Sequence, residues 1–261
     1  MVVADNLKDF TFWITYPYFQ NLSSFTLIFL LFGYSMQIFA DFAGYSLIAM
    51  GLAGLFCYKF PVNFNFPYIS TSFSEFWQRW HISLSSFLKE YLYIPLGGNK
   101  KGTIRTYINL FVTMFLGGLW HGAAWSYAVW GTVHGSALAV ERFLKGKIKL
   151  KESRTISVVK GIIVFIFVTL AWLLFKLPDF SHVKAYLSSL KSNFFLEDNY
   201  AIITYILIYS FPVVLYHAAY LWKSQISFLA FRRMEYLFYG LMIFMILVNS
   251  GSPGAFIYFQ F

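Results

Sequence analysis

The chain has 261 residues, of which 59% are hydrophobic and 12% are charged, and its formal net charge is +9 at pH 7. Soluble domains carry about 25% charged residues, so a globular core of this length would leave too much apolar surface in water. The composition therefore excludes an ordinary soluble domain and predicts a protein whose solvent is the lipid bilayer.

The positions of the basic residues and the cysteine count narrow the class further. Lys and Arg lie between the apolar runs, which is typical of the positive-inside pattern of membrane proteins and disfavours a nucleic-acid partner. The one cysteine, Cys57, excludes a disulfide framework and a cysteine-based metal site. We therefore expect a membrane protein with no bound metal.

The first long apolar run covers residues 22–58 and follows a mixed segment, residues 1–21, that indicates a short interfacial or loop piece. Gln37 and Asp41 are polar interruptions of this run. About 20 residues cross the bilayer core, so the run is longer than one perpendicular span requires. It predicts either one tilted helix or two short helices broken near Gly44.

Residues 59–105 form the longest segment without a predicted span, and they contain a helix start signal. Ser72 followed by Glu75 is a capping-box pattern, and apolar residues recur at helical spacing from there to Tyr91. The pattern predicts one amphipathic helix that lies in the membrane surface or packs on the bundle. The turn residues at 95–102 are expected to end it.

Five further apolar runs are predicted to cross the membrane. They cover residues 107–124, 125–144, 157–177, 200–222 and 236–248. The loops at 59–106, 142–160 and 223–235 are basic and the loop at 178–199 is acidic, and this alternation places the basic loops in the cytoplasm. The predicted fold is an all-α, polytopic transmembrane helical bundle, with the amphipathic helix in a long cytoplasmic loop and one membrane-embedded domain over residues 1–261.

His121 is the first candidate for chemistry because it lies in an apolar run. An ionisable residue in a membrane segment is a functional-site hypothesis by default, and a neutral imidazole can take a proton from a hydroxyl. Gly117, Gly118 and Gly122 remove side chains around it, and Trp120 is placed to wall a channel. The alternative is a histidine that only packs between helices.

Three other polar residues in apolar surroundings are further candidates for a functional role. His134 would point about 220° away from His121 on one continuous helix, so packing is the favoured interpretation. His81 falls on the apolar side of the predicted amphipathic helix, where spacing alone also favours packing. Asp41 shares a helix face with Gln37, and an intramembrane carboxylate is where a proton-coupled transporter hypothesis begins.

The remaining histidines and the common catalytic motifs add nothing to these candidates. His182 lies in the acidic loop and His217 lies near the end of a predicted span, so both look incidental. The sequence contains no phosphate-binding loop, no dinucleotide-binding glycine pattern, no zinc-protease helix and no serine-hydrolase elbow. Nucleotide hydrolysis, metalloprotease and serine hydrolase functions are therefore unsupported.

Three motifs resemble the membrane-bound O-acyltransferase (MBOAT) family. They are WQRWHISLS at residues 77–85, YLYIPLGGN at 91–99 and GGLWHGA at 117–123. The segment at 37–46, Asn63 with the following phenylalanine, and the closing residues are similar to the bacterial branch that acetylates alginate and other exopolysaccharides.

The resemblance implies roles for particular residues. His121 matches the family's catalytic histidine, and His81 matches its second polar active-site position. Asp41, Trp120, Trp80 and Asn63 are expected to contact substrate. Relatives often carry an acid after the Gly-Tyr-Ser at 44–46, where this chain has leucine, which weakens any role for a pair of carboxylates near Asp41.

The resemblance also implies a reaction and a location. Family members move an acyl group from a thioester donor to a hydroxyl through a tunnel that crosses the membrane. In the polysaccharide branch the acetyl group passes outward, with periplasmic partner proteins. We expect acetyl-CoA or another acyl thioester as the donor, no bound cofactor, and a multi-pass position in the bacterial inner membrane among its lipids.

Several alternatives stay open at this point. Relatives in this branch are much longer and begin with several more spans, so the chain is expected to correspond to their C-terminal half. An inactive or assembly-dependent half protein is therefore one hypothesis. A proton-coupled transporter that uses Asp41 and His121 is another, and D-alanyl or other acyl transfer to a cell-wall polymer is a third. The acceptor polymer and the acyl group are not determined by the sequence.

Overall fold

A computed structural model of the chain describes residues 2–147, 153–222, 228–249 and 251, without the side chains of 228–234. These residues form helices joined by turns and contain no strand, which confirms the all-α prediction. The chain separates into two compact units, Met1–Ile48 with Ser188–Gln260, and Ala49–Leu187. Each unit is described by itself below, and the interpretation of residues 1–261 as one domain stays a prediction.

The described residues form ten α-helices. In chain order they are α1 (Val2–Thr11), α2 (Ser24–Leu55), α3 (Phe73–Arg79), α4 (Ile82–Leu88), α5 (Thr103–Leu119), α6 (Trp125–Lys147), α7 (Arg154–Lys176), α8 (Phe180–Ser192), α9 (Tyr200–Trp222) and α10 (Phe228–Val248). Short 3-10 turns precede α2 and α3, and a single π-helical turn, Lys89–Tyr93, follows α4.

Within the described residues, α2, α7 and α9 are long and apolar enough to cross a membrane. The 32 residues of α2 are one continuous helix, which answers the question left open for residues 22–58. The predicted spans at 107–124 and 125–144 are helical but do not reach the same length and apolar content. The first, α5, has 17 residues, and α6 ends in a turn that carries Lys145 and Lys147.

In the first unit, α1 packs against α9. The Phe10 ring stacks on the Tyr205 ring with centroids 4.8 Å apart. Asn6 Nδ2 donates to the Asn249 carbonyl oxygen at 3.2 Å. The segment expected to be an interfacial or loop piece is therefore helical over residues 2–11, because tertiary contacts stabilise a helix that its mixed composition only weakly indicated.

Hydrogen bonds fix the beginning of α2 to the segment between α8 and α9 in the first unit. The Ser24 amide donates to the Asn193 carbonyl at 3.2 Å, and Asn193 Nδ2 donates to the Leu22 carbonyl at 2.9 Å. The Asn199 amide donates to Thr26 Oγ1 at 3.0 Å. Residues 22–26 and 193–199 therefore lie at the same end of the unit.

In the second unit, α5 and α6 form an antiparallel hairpin whose backbones approach closely at glycines. A Cβ atom on Gly118 would lie 2.2 Å from the Tyr127 carbonyl oxygen. A Cβ atom on Gly131 would lie 2.3 Å from the Met114 carbonyl oxygen. Only glycine fits at these two contacts, because a side chain would push the helices apart.

The predicted amphipathic helix begins where expected but does not continue to Tyr91. Ser72 Oγ accepts from the Glu75 amide at 3.1 Å, as the capping pattern predicts. The helix ends at Arg79, where Trp80 is extended and His81 adopts a left-handed backbone with φ of +42°. The prediction of one helix was therefore wrong, since α3 and α4 are separate helices.

The break has a specific cause in the preceding segment. The Asn65 amide donates to the Arg79 carbonyl at 2.9 Å, and the Ile82 amide donates to the Asn63 carbonyl at 3.0 Å. A continuous helix would need both the Arg79 carbonyl and the Ile82 amide for its own ladder. Pairing with residues 63–65 satisfies these backbone groups in another way and turns the chain at His81.

Candidate active site

His121 occupies the turn between α5 and α6. Its amide donates to the Gly118 carbonyl at 3.0 Å, and the Gly122 amide donates to the Leu119 carbonyl at 3.2 Å. Gly122 has φ of +153°, and a Cβ atom there would lie 2.8 Å from the Tyr127 ring. The close hairpin and this glycine turn together hold the imidazole in a fixed place.

The His121 ring is enclosed by aromatic side chains. It is 7% exposed, and it meets Phe175 edge-to-face with ring centroids 4.9 Å apart. Trp130 lies against it at 5.4 Å and Trp120 at 5.1 Å. Three aromatic rings therefore exclude water from much of the imidazole surface, and this favours its neutral form.

His81 reaches the same place from the break between α3 and α4. Its ring is 9% exposed and meets the Trp120 ring edge-to-face with centroids 6.4 Å apart. The same Trp120 ring lies 5.1 Å from the His121 ring, centroid to centroid. The structure therefore brings together two imidazoles that are forty residues apart in sequence, with the Trp120 ring in contact with both.

The histidine pair is accessible from the side on which Trp120 lies. Its side chain is 60% exposed, although its ring contacts both histidines. Burial lowers the pKa of His81 to about 4, so this imidazole is neutral near pH 7. The arrangement can therefore accept a proton or hydrogen bonds from a group that enters beside the indole.

Asn63 and Ser83 lie next to His81. Asn63 Oδ1 accepts from the Ser83 hydroxyl at 2.6 Å and from the Ser83 amide at 3.2 Å. The Ser83 hydroxyl oxygen also lies 3.4 Å from His81 Nδ1. Asn63 was predicted to contact substrate, and the structure shows it bonded to the helix that follows His81.

The other two predicted contact residues lie elsewhere. Trp80 is 1% exposed and packs against Phe64 and Trp172, with ring centroids 5.0 and 4.9 Å apart. Asp41 belongs to the first unit, where it is half-buried on α2 one turn beyond Gln37. A contact of Trp80 or Asp41 with substrate stays a prediction.

His134 is buried on α6 beside the same tryptophan that contacts His121. Its ring centroid lies 4.6 Å from that of Trp130 and 5.1 Å from that of Trp77. The angular argument against pairing His121 with His134 does not apply, because α5 ends at Leu119 and α6 begins at Trp125. Trp130 lies between the two imidazoles instead, which agrees with a packing role for His134.

His217, which looked incidental from its position near the end of a predicted span, is buried within α9. Its Nδ1 atom lies 2.8 Å from the Val213 carbonyl oxygen, and its ring meets the Phe39 ring with centroids 4.9 Å apart. These contacts belong to the first unit and give His217 a packing role. His182 lies 3.9 Å from the exposed Asp179 carboxylate and is unrelated to the histidine pair.

Trp172 and Phe175 are the residues near the site that sequence reasoning missed. Phe175 contacts His121, and Trp172 packs against both Trp80 and Trp130. Their spacing of three residues on α7 places them on one helix face. The spacing alone could have predicted that the two residues share a face. In a run that is apolar all round, however, the sequence does not show which face packs against the rest of the protein.

The fold and the site define a helical membrane protein with a buried histidine pair. The sequence model of the MBOAT, membrane-bound O-acyltransferase family matches residues 2–178. The chain belongs to this family, and the resemblance drawn from its motifs is confirmed.

Curated relatives carry three related names. The chain is 50% identical over 143 residues to the probable alginate O-acetylase AlgI of Pseudomonas aeruginosa, a match that covers 55% of this chain and 27% of that protein. It is 44% identical over 143 residues to the peptidoglycan O-acetyltransferase of Helicobacter pylori, with the same shares covered. It is 33% identical over 163 residues to the teichoic acid D-alanyltransferase of Bacillus subtilis, covering 58% of this chain and 41% of that protein. The match therefore spans about a quarter of the first relatives' length.

Proposed function

We propose that this protein is an O-acyltransferase that moves an acetyl group from a cytoplasmic thioester towards hydroxyls of an exported, alginate-like polysaccharide. The observation that carries the proposal is the meeting of His81 and His121 at the ring of Trp120, a residue that is otherwise largely exposed. Family membership and the names of the relatives support acyl transfer to a polysaccharide.

The proposed chemistry uses His121 as a general base. Its imidazole takes the proton of the acceptor hydroxyl while the hydroxyl oxygen attacks the thioester carbonyl carbon. The carbon–sulfur bond then breaks, and the imidazolium returns the proton to the leaving thiolate. The products are an ester and a free thiol, and the imidazole ends in its starting form.

His81 orients the acceptor in this proposal. A second imidazole beside the base can bind a neighbouring hydroxyl of the acceptor and so keep the attacking hydroxyl at reacting distance, and correct placement accounts for a large part of many rate enhancements. Acetyl-CoA or another acyl thioester is the proposed donor, and the protein itself contributes no bound cofactor. Delivery to the polymer would use periplasmic partner proteins, with the enzyme in the bacterial inner membrane.

The experiment that tests this function follows a labelled acetyl group. Membranes from cells that express the protein are incubated with acetyl-labelled thioester and with hydroxyl acceptors, including alginate oligosaccharides and peptidoglycan fragments. We expect label in an ester on the polysaccharide and release of one thiol for each ester formed. Label transfer to no hydroxyl acceptor, together with proton flux in liposomes that lack any acyl donor, would instead support the transporter hypothesis.

Transfer of a D-alanyl group is the competing outcome within the same family. The similarity to a teichoic acid D-alanyltransferase is what favours including it. The same membranes are therefore supplied with acetyl and D-alanyl thioesters in parallel. A higher rate with the acetyl donor supports the proposal, and a higher rate with the D-alanyl donor contradicts its choice of acyl group.

A further inference from the structure

The hydrogen bonds of Ser83 determine which nitrogen of His81 carries its proton. Asn63 Oδ1 receives both the Ser83 amide at 3.2 Å and the Ser83 hydroxyl at 2.6 Å. Because the backbone amide can only donate, the Asn63 atom that it meets must be the amide oxygen, which has no hydrogen to give. The hydroxyl proton of Ser83 therefore points to Asn63.

A hydroxyl has one hydrogen and two lone pairs. With its hydrogen directed to Asn63, the Ser83 oxygen can offer only a lone pair to His81 Nδ1, which lies 3.4 Å away. The hydrogen bond between them thus requires the proton to be on Nδ1. In histidine, the hydrogen bond made by one ring nitrogen sets the state of the other.

The backbone at the break holds these three residues in register. The Asn63 carbonyl accepts from the Ile82 amide at 3.0 Å, while the Asn63 side chain binds Ser83. Between them, His81 is held at φ of +42° and ψ of +57°, a conformation that non-glycine residues adopt only when the surroundings impose it. Asn63 thus binds the residues on the C-terminal side of His81 through both its backbone and its side chain.

We propose that Ser83 and Asn63 are positioning residues that hold His81 as the Nδ1–H tautomer, so that its Nε2 atom accepts a hydrogen bond from a second hydroxyl of the acceptor, next to the one whose proton His121 takes. The identity of that hydroxyl rests on the proposed acyl transfer, whereas the tautomer does not.

The assigned tautomer restricts what His81 can do. Because burial lowers its pKa to about 4, the ring is neutral near pH 7 and has one N–H group. Ser83 already accepts a hydrogen bond from that group, so His81 has none to donate to the thioester carbonyl oxygen as negative charge develops there. His81 therefore binds the acceptor through its second hydroxyl and does not stabilise the oxyanion.

Nitrogen NMR of protein labelled with 15N-histidine, measured in bilayers, tests the tautomer without any need for activity. The His81 signals are identified by their loss in His81→Gln. We expect a protonated Nδ1 and an unprotonated Nε2 in the wild type, a shift towards the Nε2–H form in Ser83→Ala, and no change in Ser83→Thr. Ser86→Ala, at an exposed serine on the same helix, is the matched control and should match the wild type.

An Nε2–H signal in the wild type, or identical His81 signals in the wild type and Ser83→Ala, would overturn the proposal. The Ser83 amide keeps its hydrogen bond to Asn63 in this variant, so we expect Ser83→Ala to fold like the wild type.

Kinetics then test the link to the reaction. Removing the outer hydrogen-bond partner of a metal-binding histidine lowers activity on the order of tenfold to a hundredfold, and Ser83→Ala should lower kcat/KM for the acceptor by a similar factor. KM for the thioester should not change, and Ser83→Thr should restore the rate. A rise in thioester KM alone would contradict the assignment to the acceptor. Wild-type protein with the expected tautomer but no acyl transfer would overturn the proposed function and leave the tautomer assignment standing.

Discussion

At the scale of single residues, the tryptophans of the second unit divide into buried and exposed groups. Trp80 and Trp130 are fully buried and pack the core around the histidines. Trp120 contacts both His81 and His121 but leaves most of its indole exposed. An exposed residue contributes little to stability, so a role for Trp120 would show in catalysis and binding instead.

Replacing Trp120 by alanine should therefore separate activity from stability. We expect a loss of kcat/KM on the order of a hundredfold, the size associated with a misplacement of about 1 Å at a reacting centre. The thermal unfolding midpoint in detergent should stay close to that of the wild type. Trp125→Ala is the matched control, because Trp125 is also exposed and begins the next helix. Equal activity losses in the two variants would refute a specific role for Trp120.

At the scale of secondary-structure elements, the α5–α6 hairpin determines where His121 lies. The two backbones meet at Gly118 and Gly131, and the histidine turn closes the hairpin. Glu141 on α6 also accepts a hydrogen bond from the Phe73 amide at the start of α3. The element that carries His121 is thereby connected to the element that leads into His81.

Gly118→Ala should impair both stability and activity. The new methyl group would meet the Tyr127 carbonyl oxygen at 2.2 Å, so the helices must separate. Overpacking of this kind costs about 1–3 kcal/mol, and the displaced turn should slow acyl transfer. Gly146→Ala on α6 is the control, since nothing lies within 4 Å of a Cβ atom there. The interpretation fails if Gly118→Ala unfolds and reacts like Gly146→Ala, as followed by thermal unfolding and label transfer.

The start of α3 could be predicted from the sequence, whereas the break after it could not, because only the start depends on residues that are close in sequence. The start of α3 depends on Ser72 and Glu75, which are neighbours on one turn, so the capping pattern revealed it. The break at His81 depends on pairing with residues 63–65, which no periodicity records. The apolar residues on either side continue the helical spacing across the break and therefore concealed it.

The residues of the candidate site could be predicted from the sequence, but their arrangement in space could not. The family motifs identified His81 and His121, but the meeting of their rings at Trp120 is a tertiary contact between separate helices. The glycines near His121 were expected to remove side chains from its surroundings. The structure shows that Gly118 admits the backbone of α6, and that a side chain at Gly117 would instead meet Leu88.

At the scale of the whole molecule, the charge distribution predicts the topology. The basic loops at 59–106, 142–160 and 223–235 are expected in the cytoplasm and the acidic loop at 178–199 outside. Hydrogen bonds within the first unit place residues 22–26 beside residues 193–199, so we expect the beginning of α2 on the same side as the acidic loop. Because α5 and α6 form a hairpin, they return the chain to the same side whether or not they cross.

Labelling of single cysteines should reproduce this arrangement. In a Cys57→Ser background, Phe195→Cys places a thiol at a fully exposed position in the acidic loop, and Lys100→Cys places one in the basic loop. A membrane-impermeant maleimide should react with Phe195→Cys in cells whose inner membrane is intact. It should react with Lys100→Cys only after permeabilisation. The reverse order of labelling would refute the predicted topology.

The rate of acetyl transfer by a His121→Ala protein tests the central claim most directly. General base catalysis contributes about 10²- to 10⁴-fold, so kcat should fall by that factor in protein that still inserts into membranes and still unfolds cooperatively. His182→Gln, at a histidine 3.9 Å from the exposed Asp179 carboxylate and away from the histidine pair, should transfer acetyl at the wild-type rate. A His121→Ala protein that acetylates the polysaccharide at the wild-type rate would contradict the assignment of His121 as the base.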